Sequence, residues 1–160
     1  MEHLFDDILE KDEVIIKIIK PNKKRYFRDW LLPFIIPIFL PHLIVIMAVT
    51  LFFTLPLLHT KAYKNTCYAY TNKRLITRGG AIGVDYHSLE YKDISATSVD
   101  VGFLDKIGKG SKTGTLAFKS PSAGISFRCI ENPYDTLREI KEYIASQTAP
   151  QEQTEETSKA

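Results

Sequence analysis

The sequence predicts a small, mainly β domain that is closed by a C-terminal helix and preceded by a helical membrane segment. Three observations support this fold class. Residues 30–58 contain no Asp, Glu, Lys or Arg. Short β-branched and aromatic stretches follow from Thr66, and Gly, Asn, Asp or Ser interrupts them about every ten residues, which is typical of antiparallel strands. Apolar residues at helical spacing then follow Asn132.

The charge-free run, residues 30–58, is the predicted membrane segment. Its 29 residues exceed the roughly 20 that one helical crossing needs and fall short of the roughly 40 that two crossings need. A signal peptide is excluded, because an acidic N-terminal stretch precedes the run. Prolines at positions 33, 37 and 41 disfavour one straight helix. The sequence therefore leaves two interpretations, a short hairpin that turns at Pro41-His42 or a single kinked span.

Both flanks of the run are basic. Residues 14–29 hold six basic side chains and one acid, and residues 59–84 hold five basic side chains and no acid. The positive-inside bias therefore favours the cytoplasm for both ends and the hairpin over the single span. The lipid bilayer is the predicted partner of the flanking basic and aromatic residues, which are Lys23, Lys24, Arg25, Arg28, Trp30, Lys61, Tyr63 and Lys64.

The composition argues against several classes of function. A net charge of +2 does not suggest a nucleic-acid partner. Cys67 and Cys129 lie in apolar alternating stretches and are predicted to be buried thiols. The four histidines have no metal-ligand spacing, and no catalytic motif is present. We therefore expect no enzyme activity, no metal, no cofactor and no specific small-molecule ligand.

The β domain begins a few residues after the run. A tight turn is predicted at Gly79-Gly80, because two glycines supply the positive φ angles that such a turn needs. Tyr68, Tyr70, Phe118 and Phe127 alternate within strands and are predicted core residues. The predicted strands are 66–70, 74–78, 82–87, 94–101, 115–119 and 125–130, and residues 13–20, before the run, are a candidate seventh strand.

The chain then changes to a helical pattern. Asn132 suits the helix cap and Pro133 the first helical position. Leu137, Ile140 and Ile144 form an apolar stripe on a predicted helix of about 13 residues. The predicted organisation is an N-terminal segment (1–29), the membrane segment (30–58), the β domain (62–146) and a polar, disordered tail (147–160).

The stretch Tyr-Ala-Tyr-Thr-Asn-Lys-Arg-Leu-Ile, residues 68–76, resembles the opening signature of the bacterial pleckstrin-homology-like (bPH) domains of small membrane proteins. Segments 90–94, 105–108, 114–116 and 130–133 resemble later family elements in the same order. The resemblance implies two roughly orthogonal antiparallel sheets capped by the C-terminal helix, and a structural role for the signature. The signature residues are Tyr68, Tyr70, Thr71, Lys73, Arg74 and Leu75.

The resemblance, together with the run, implies a non-enzymatic, membrane-anchored PH-like domain. We expect it to face the cytoplasm from the bacterial cytoplasmic membrane and to act as a docking or assembly module for a protein partner or a second copy of itself. The alternative is an accessory or regulatory subunit of a transport or envelope enzyme complex that acts through the membrane segment. A glycine-rich loop with Lys106, Lys109 and Lys112 is interpreted as a solvated connection, with contact to an anionic headgroup or an acidic partner as the alternative.

Overall fold

A computed structural model describes residues 4–31, 48, 49, 52, 60–102 and 113–156, with the backbone alone at 30, 31 and 148–156. In these ranges the chain forms seven strands, three helices that are labelled below, and a 3-10 turn at Tyr91–Asp93. The strands are β1 (Ile15–Ile19), β2 (Cys67–Thr71), β3 (Arg74–Gly79), β4 (Asp85–Glu90), β5 (Ala96–Asp100), β6 (Thr113–Lys119) and β7 (Ile125–Glu131). The helices are α1 (Lys23–Leu31), α2 (Thr60–Asn65) and α3 (Pro133–Glu156).

The strands form two antiparallel sheets. Sheet A has the order β1-β2-β3-β4, and sheet B has the order β5-β6-β7. Tyr68 and Leu75 of sheet A, Leu116 and Phe127 of sheet B, and Ile140 of α3 belong to one buried cluster. The core therefore lies between the sheets and under the C-terminal helix, which confirms the predicted mainly β, PH-like fold class and the predicted core aromatics.

The candidate strand before the run is part of sheet A. Ile18 pairs with Ala69 and Ile19 pairs with Tyr68, so β1 and β2 are antiparallel neighbours although the charge-free run separates them in sequence. The folded domain thus contains residues from both sides of the run. The sequence had placed its boundaries at 62–146, because the alternation at 13–20 alone does not show which strand is its neighbour.

The N-terminal segment covers the other face of sheet A. Phe5 is fully buried against Cys67, Ala69 and Ile76, and Leu4, Ile8 and Leu9 pack around the same cluster. Every residue of β2 is therefore buried, since both of its faces are covered. Cys67 and Cys129 are buried free thiols, as predicted.

Two element boundaries differ from the prediction. The prediction of a tight turn at Gly79-Gly80 is wrong, because β4 begins only at Asp85 and residues 80–84 form a longer loop. Gly80 does have a positive φ of 125°. Helix α3 begins at Pro133 as predicted but continues to Glu156, into the segment 147–160 that was predicted to be disordered. Gln, Glu and Ala in this extension are compatible with helix, whereas Pro150 lies inside it and lacks the N–H of a regular helical turn.

No helix in the described ranges combines the length and the apolar character that a bilayer crossing requires. Most of the predicted membrane segment (32–47, 50, 51 and 53–58) lies outside the described residues. The predicted loop lysines at 106, 109 and 112 lie outside them as well.

Candidate functional site

The helices before and after the charge-free run lie together at one end of the domain. Helix α1 leads from β1 into the run, and α2 leads from the run into β2. Asn22 fixes the start of α1, because its side-chain oxygen accepts a hydrogen bond from the Arg25 backbone N–H at 3.0 Å. The Asn22 backbone N–H donates to the Cys129 carbonyl at 2.6 Å, which attaches the start of α1 to β7.

An aromatic cluster holds α1 against α2. The ring of Tyr63 lies 5.4 Å from that of Tyr26 and 5.9 Å from that of Phe27, centroid to centroid. The Tyr63 hydroxyl donates to the Pro21 carbonyl at 3.3 Å. Tyr63 was predicted to lie at the membrane interface, and the structure gives it the additional role of joining the two helices. We refer to α1, α2 and the 80–84 loop together as the α1–α2 end.

The 80–84 loop is tied to α2. The side-chain amide of Asn65, the last residue of α2, donates to the Gly80 carbonyl at 3.0 Å. Arg78 donates from its guanidinium to the Asn65 carbonyl at 2.9 Å. The start of β2 and the end of β3 are therefore fixed at the same end of the domain as the two ends of the run.

Exposed positive charge gathers at the α1–α2 end. Lys23 and Lys24 of α1 and Lys61 and Lys64 of α2 are exposed. Arg28 is half-buried and lies 3.2 Å from an oxygen of Asp29. Trp30 lies in α1, and its side chain is outside the described part of the chain.

Arg25 does not belong to this exposed set, although the sequence predicted it there. Its residue is only 7% exposed, and its Nε lies 3.3 Å from Asp29, one helical turn later. A buried guanidinium needs an acidic partner, and Asp29 at position i+4 supplies one. Counting charges along the flank could not detect this, because burial depends on which side of α1 faces the domain.

Asp29 also affects the buried thiol of β7. The Cys129 Sγ donates a long hydrogen bond of 3.7 Å to an Asp29 oxygen. Burial and the nearby Asp29 carboxylate raise the pKa of the Cys129 thiol to about 11. The thiol is therefore protonated at neutral pH, the opposite of what a nucleophilic cysteine requires.

The predicted signature residues lie in the β2–β3 hairpin. Tyr68 donates to the Arg128 carbonyl at 3.1 Å and Tyr70 to Glu139 at 2.8 Å, so both bridge from sheet A to other elements. The Thr71 hydroxyl accepts the backbone N–H groups of Lys73 and Arg74 at 3.1 and 3.0 Å, which closes the turn. Leu75 is fully buried, and Lys73 is exposed beside Glu10.

The structure thus places the turn of the signature hairpin away from the predicted membrane-interface residues of α2. The turn at Thr71 to Arg74 is the end of the hairpin remote from α2, because α2 joins β2 at Cys67. No group of three or more His, Cys, Asp or Glu side chains in the described ranges is placed to bind a metal ion.

Sequence reasoning missed four residues that organise these contacts: Glu13, Asn22, Asp29 and Asn65. Asn22 follows Pro21 and precedes a helix, which is a recognisable capping signal. Glu13 and Asn65 act on partners distant in sequence, so no local pattern indicates them, whereas Asp29 pairs with Arg25 at the local i,i+4 spacing.

A match to a family model identifies the family of the chain. The family model described as bacterial PH domain matches residues 30–145, more than two thirds of the 160-residue chain, and the match starts within the charge-free run. One similar solved structure is a DUF1696 family protein with a pleckstrin-homology domain from Shewanella loihica PV-4. It is 13% identical, with 90% of this chain and 89% of that chain covered and a TM-score of 0.44. A search of the curated proteins found no match. From the family match, this chain belongs to the bacterial PH domain family.

Proposed function

We propose that this chain is a membrane-anchored bacterial PH-like domain, and that it acts as a non-enzymatic docking or assembly module at the cytoplasmic face of the bacterial membrane. Membership of the bacterial PH domain family supports a binding or docking role. The charge-free run supports the anchor, because 29 residues without a charged side chain are unusual outside a bilayer.

The observation that carries the proposal is the pairing of β1 with β2 across the run. A folded sheet lies on one side of a membrane, and here its two neighbouring strands are the segments before and after the run. The contacts of Tyr63 with Tyr26 and Phe27 bring the two ends of the run together as well. A single crossing would put β1 and β2 on opposite sides. These contacts support the proposal that the run enters the bilayer and returns as a hairpin.

The described residues within the run agree with a lipid environment. Val49 and Phe52 are helical, and they are 54% and 76% exposed. Large apolar side chains in such positions favour contact with lipid over contact with water. The exposed lysines of α1 and α2 would then lie at the headgroups, on the side where both termini remain.

Membrane anchorage is tested by alkaline carbonate extraction of membranes that contain the full chain. We expect the chain to stay in the membrane pellet and to dissolve only in detergent, because the run is embedded. Release by carbonate alone would contradict the anchor.

The hairpin is tested by single-cysteine labelling in intact cells. Lys11→Cys reports the side before the run, and Lys141→Cys reports the side after it. Both positions are exposed, and the native Cys67 and Cys129 are buried and remain in place. We expect both new cysteines to resist an impermeant maleimide until the cells are permeabilised. Labelling of one and protection of the other would establish a single span and would contradict the β1–β2 pairing in the membrane.

A further inference from the structure

The loop between β3 and β4 presents an apolar tip. Ile82 is 95% exposed, and Val84, two residues later, is 40% exposed. The bend is built by Gly80, whose φ is 125° and where an added Cβ would lie 2.3 Å from the Gly83 carbonyl oxygen. A glycine is required there, so the exposed isoleucine sits on a defined turn of the backbone.

One exposed apolar residue is ordinary on a protein surface, and the position of this one makes it informative. The loop is tied to the last residue of α2 by the bond from Asn65 to the Gly80 carbonyl. Helix α2 has six residues, about 9 Å at 1.5 Å per residue, and it starts two residues after the charge-free run ends. The loop is therefore attached to the chain within one short helix of the end of the run.

Exposed basic side chains stand on the helix to which the loop is bound, and Asp85 follows the loop as an exposed acid. Lys61 and Lys64 are exposed on α2, and the Arg78 guanidinium lies beside Asn65. An apolar tip on a loop that is bound to a lysine-bearing helix matches the interface of an anionic bilayer, where apolar groups enter the acyl boundary and cations remain among the headgroups.

We propose that the 80–84 loop inserts into the membrane interface, with Ile82 as its anchor, and so forms a second lipid contact besides the charge-free run. The inference rests on the proposed membrane anchorage. It assigns the loop a role in holding the domain against the lipid surface, so that the α1–α2 end faces the bilayer and the β2–β3 and β6–β7 turns point away from it.

The test uses the full chain in vesicles of phosphatidylcholine and phosphatidylglycerol, with an environment-sensitive fluorophore on Gly83→Cys. An added Cβ at Gly83 meets no atom within 4 Å, so a cysteine fits at this position without a steric clash. Ala123→Cys, on the exposed turn between β6 and β7 at the opposite end of the domain, is the matched control. We expect blue-shifted emission and loss of iodide quenching at position 83 and water-like behaviour at position 123.

A second pair of variants tests Ile82 itself. In the Gly83→Cys background, Ile82→Asp should restore iodide quenching, and Ile82→Leu should leave the label shielded. Two outcomes overturn the inference separately. If both labels are equally quenched while carbonate leaves the chain in the vesicles, the loop inference fails and the anchorage stands. If carbonate releases the chain, both proposals fail.

Discussion

Glu13 and Arg74 form a hydrogen-bonded ion pair across sheet A. The Arg74 Nε and one terminal guanidinium nitrogen donate to the two Glu13 oxygens at 2.9 and 2.8 Å. The Glu13 side chain is fully buried, and Thr71 donates to it at 2.8 Å. Because Arg74 also donates to the Ile8 carbonyl at 2.8 Å, this pair attaches the N-terminal segment to the β2–β3 hairpin.

Removing the charge of Glu13 should destabilise the domain. Glu13→Gln leaves the partly buried Arg74 with only the exposed Glu10 carboxylate, and breaking one side of a buried pair costs about 3 to 5 kcal/mol. Glu10→Gln is the control, because Glu10 is exposed and surface pairs contribute about 0 to 1 kcal/mol. Chemical unfolding of the full chain in detergent measures both. Equal losses would mean that the buried pair is not the stabilising contact.

The same pair predicts a loss of stability in acid. Burial raises the pKa of the Glu13 carboxyl, but hydrogen bonds from Arg74, from the Glu10 backbone and from Thr71 outweigh it, so the pKa lies below its ordinary value of 4.5. The unfolded chain then binds the proton more tightly than the folded one. The contribution is therefore complete above pH 4.5 and is lost as the pH falls through the folded pKa.

Unfolding midpoints measured from about pH 6 down to about pH 3 test this linkage. The decline should be shallower for Glu13→Gln than for the unchanged chain, because the variant has no carboxyl at this position. An identical slope for both chains would show that other carboxyl groups cause the decline.

Helix α3 should depend on Ile140 far more than on its neighbour. Ile140 is fully buried, with 0% of its surface accessible to solvent, whereas Lys141 is exposed. Ile140→Ala should lower the free energy of unfolding by about 2 to 5 kcal/mol, since it leaves a cavity. Lys141→Ala should change it by no more than about 0.5 kcal/mol. Denaturant titration compares the two, and similar effects would mean that α3 does not pack as described.

The aromatic cluster at the α1–α2 end should hold the two helices together. Tyr63→Ala removes the ring contacts with Tyr26 and Phe27, whereas Tyr63→Phe keeps them and removes only the bond to the Pro21 carbonyl. We expect amide hydrogen exchange in α1 and α2 to accelerate strongly in Tyr63→Ala and little in Tyr63→Phe. Exchange that is equally fast in both would assign the effect to the hydroxyl.

The exposed lysines of α1 and α2 should produce a preference for anionic lipid. Replacing Lys61 and Lys64 with Gln should weaken the preference by about 1 kcal/mol per lysine at low salt. The effect should shrink near 0.15 M salt, because exposed charges more than about 8 Å apart are then largely screened. Lys119→Gln is the control, because Lys119 is exposed at the end of β6 that is remote from α1. Fluorescent lipid analogues near the protein report the enrichment. An equal effect from Lys119 would contradict a localised contact.

The strands, the core aromatics and the start of α3 could be predicted from the sequence because alternation and capping are local signals. The longer loop after Gly79 could not, because two glycines permit both a tight turn and an extended one, and only the bond from Asn65 to Gly80 selects the latter. Arg25 was misplaced for a similar reason. A flank's total charge does not show that Arg25 pairs with Asp29, one helical turn later, on the side of α1 that faces β7.

The order of synthesis gives the β1–β2 pairing a kinetic consequence. Glu13 and Thr71 are 58 positions apart, and at about 5 to 20 residues per second the first must wait several seconds for the second to emerge. Closing so long a loop in solution carries an entropy penalty that grows with its length. Insertion of the charge-free run as a hairpin would bring its ends together before β2 is complete. The bilayer would then act as a template for the sheet, and a chain that failed to insert would also fold its domain slowly.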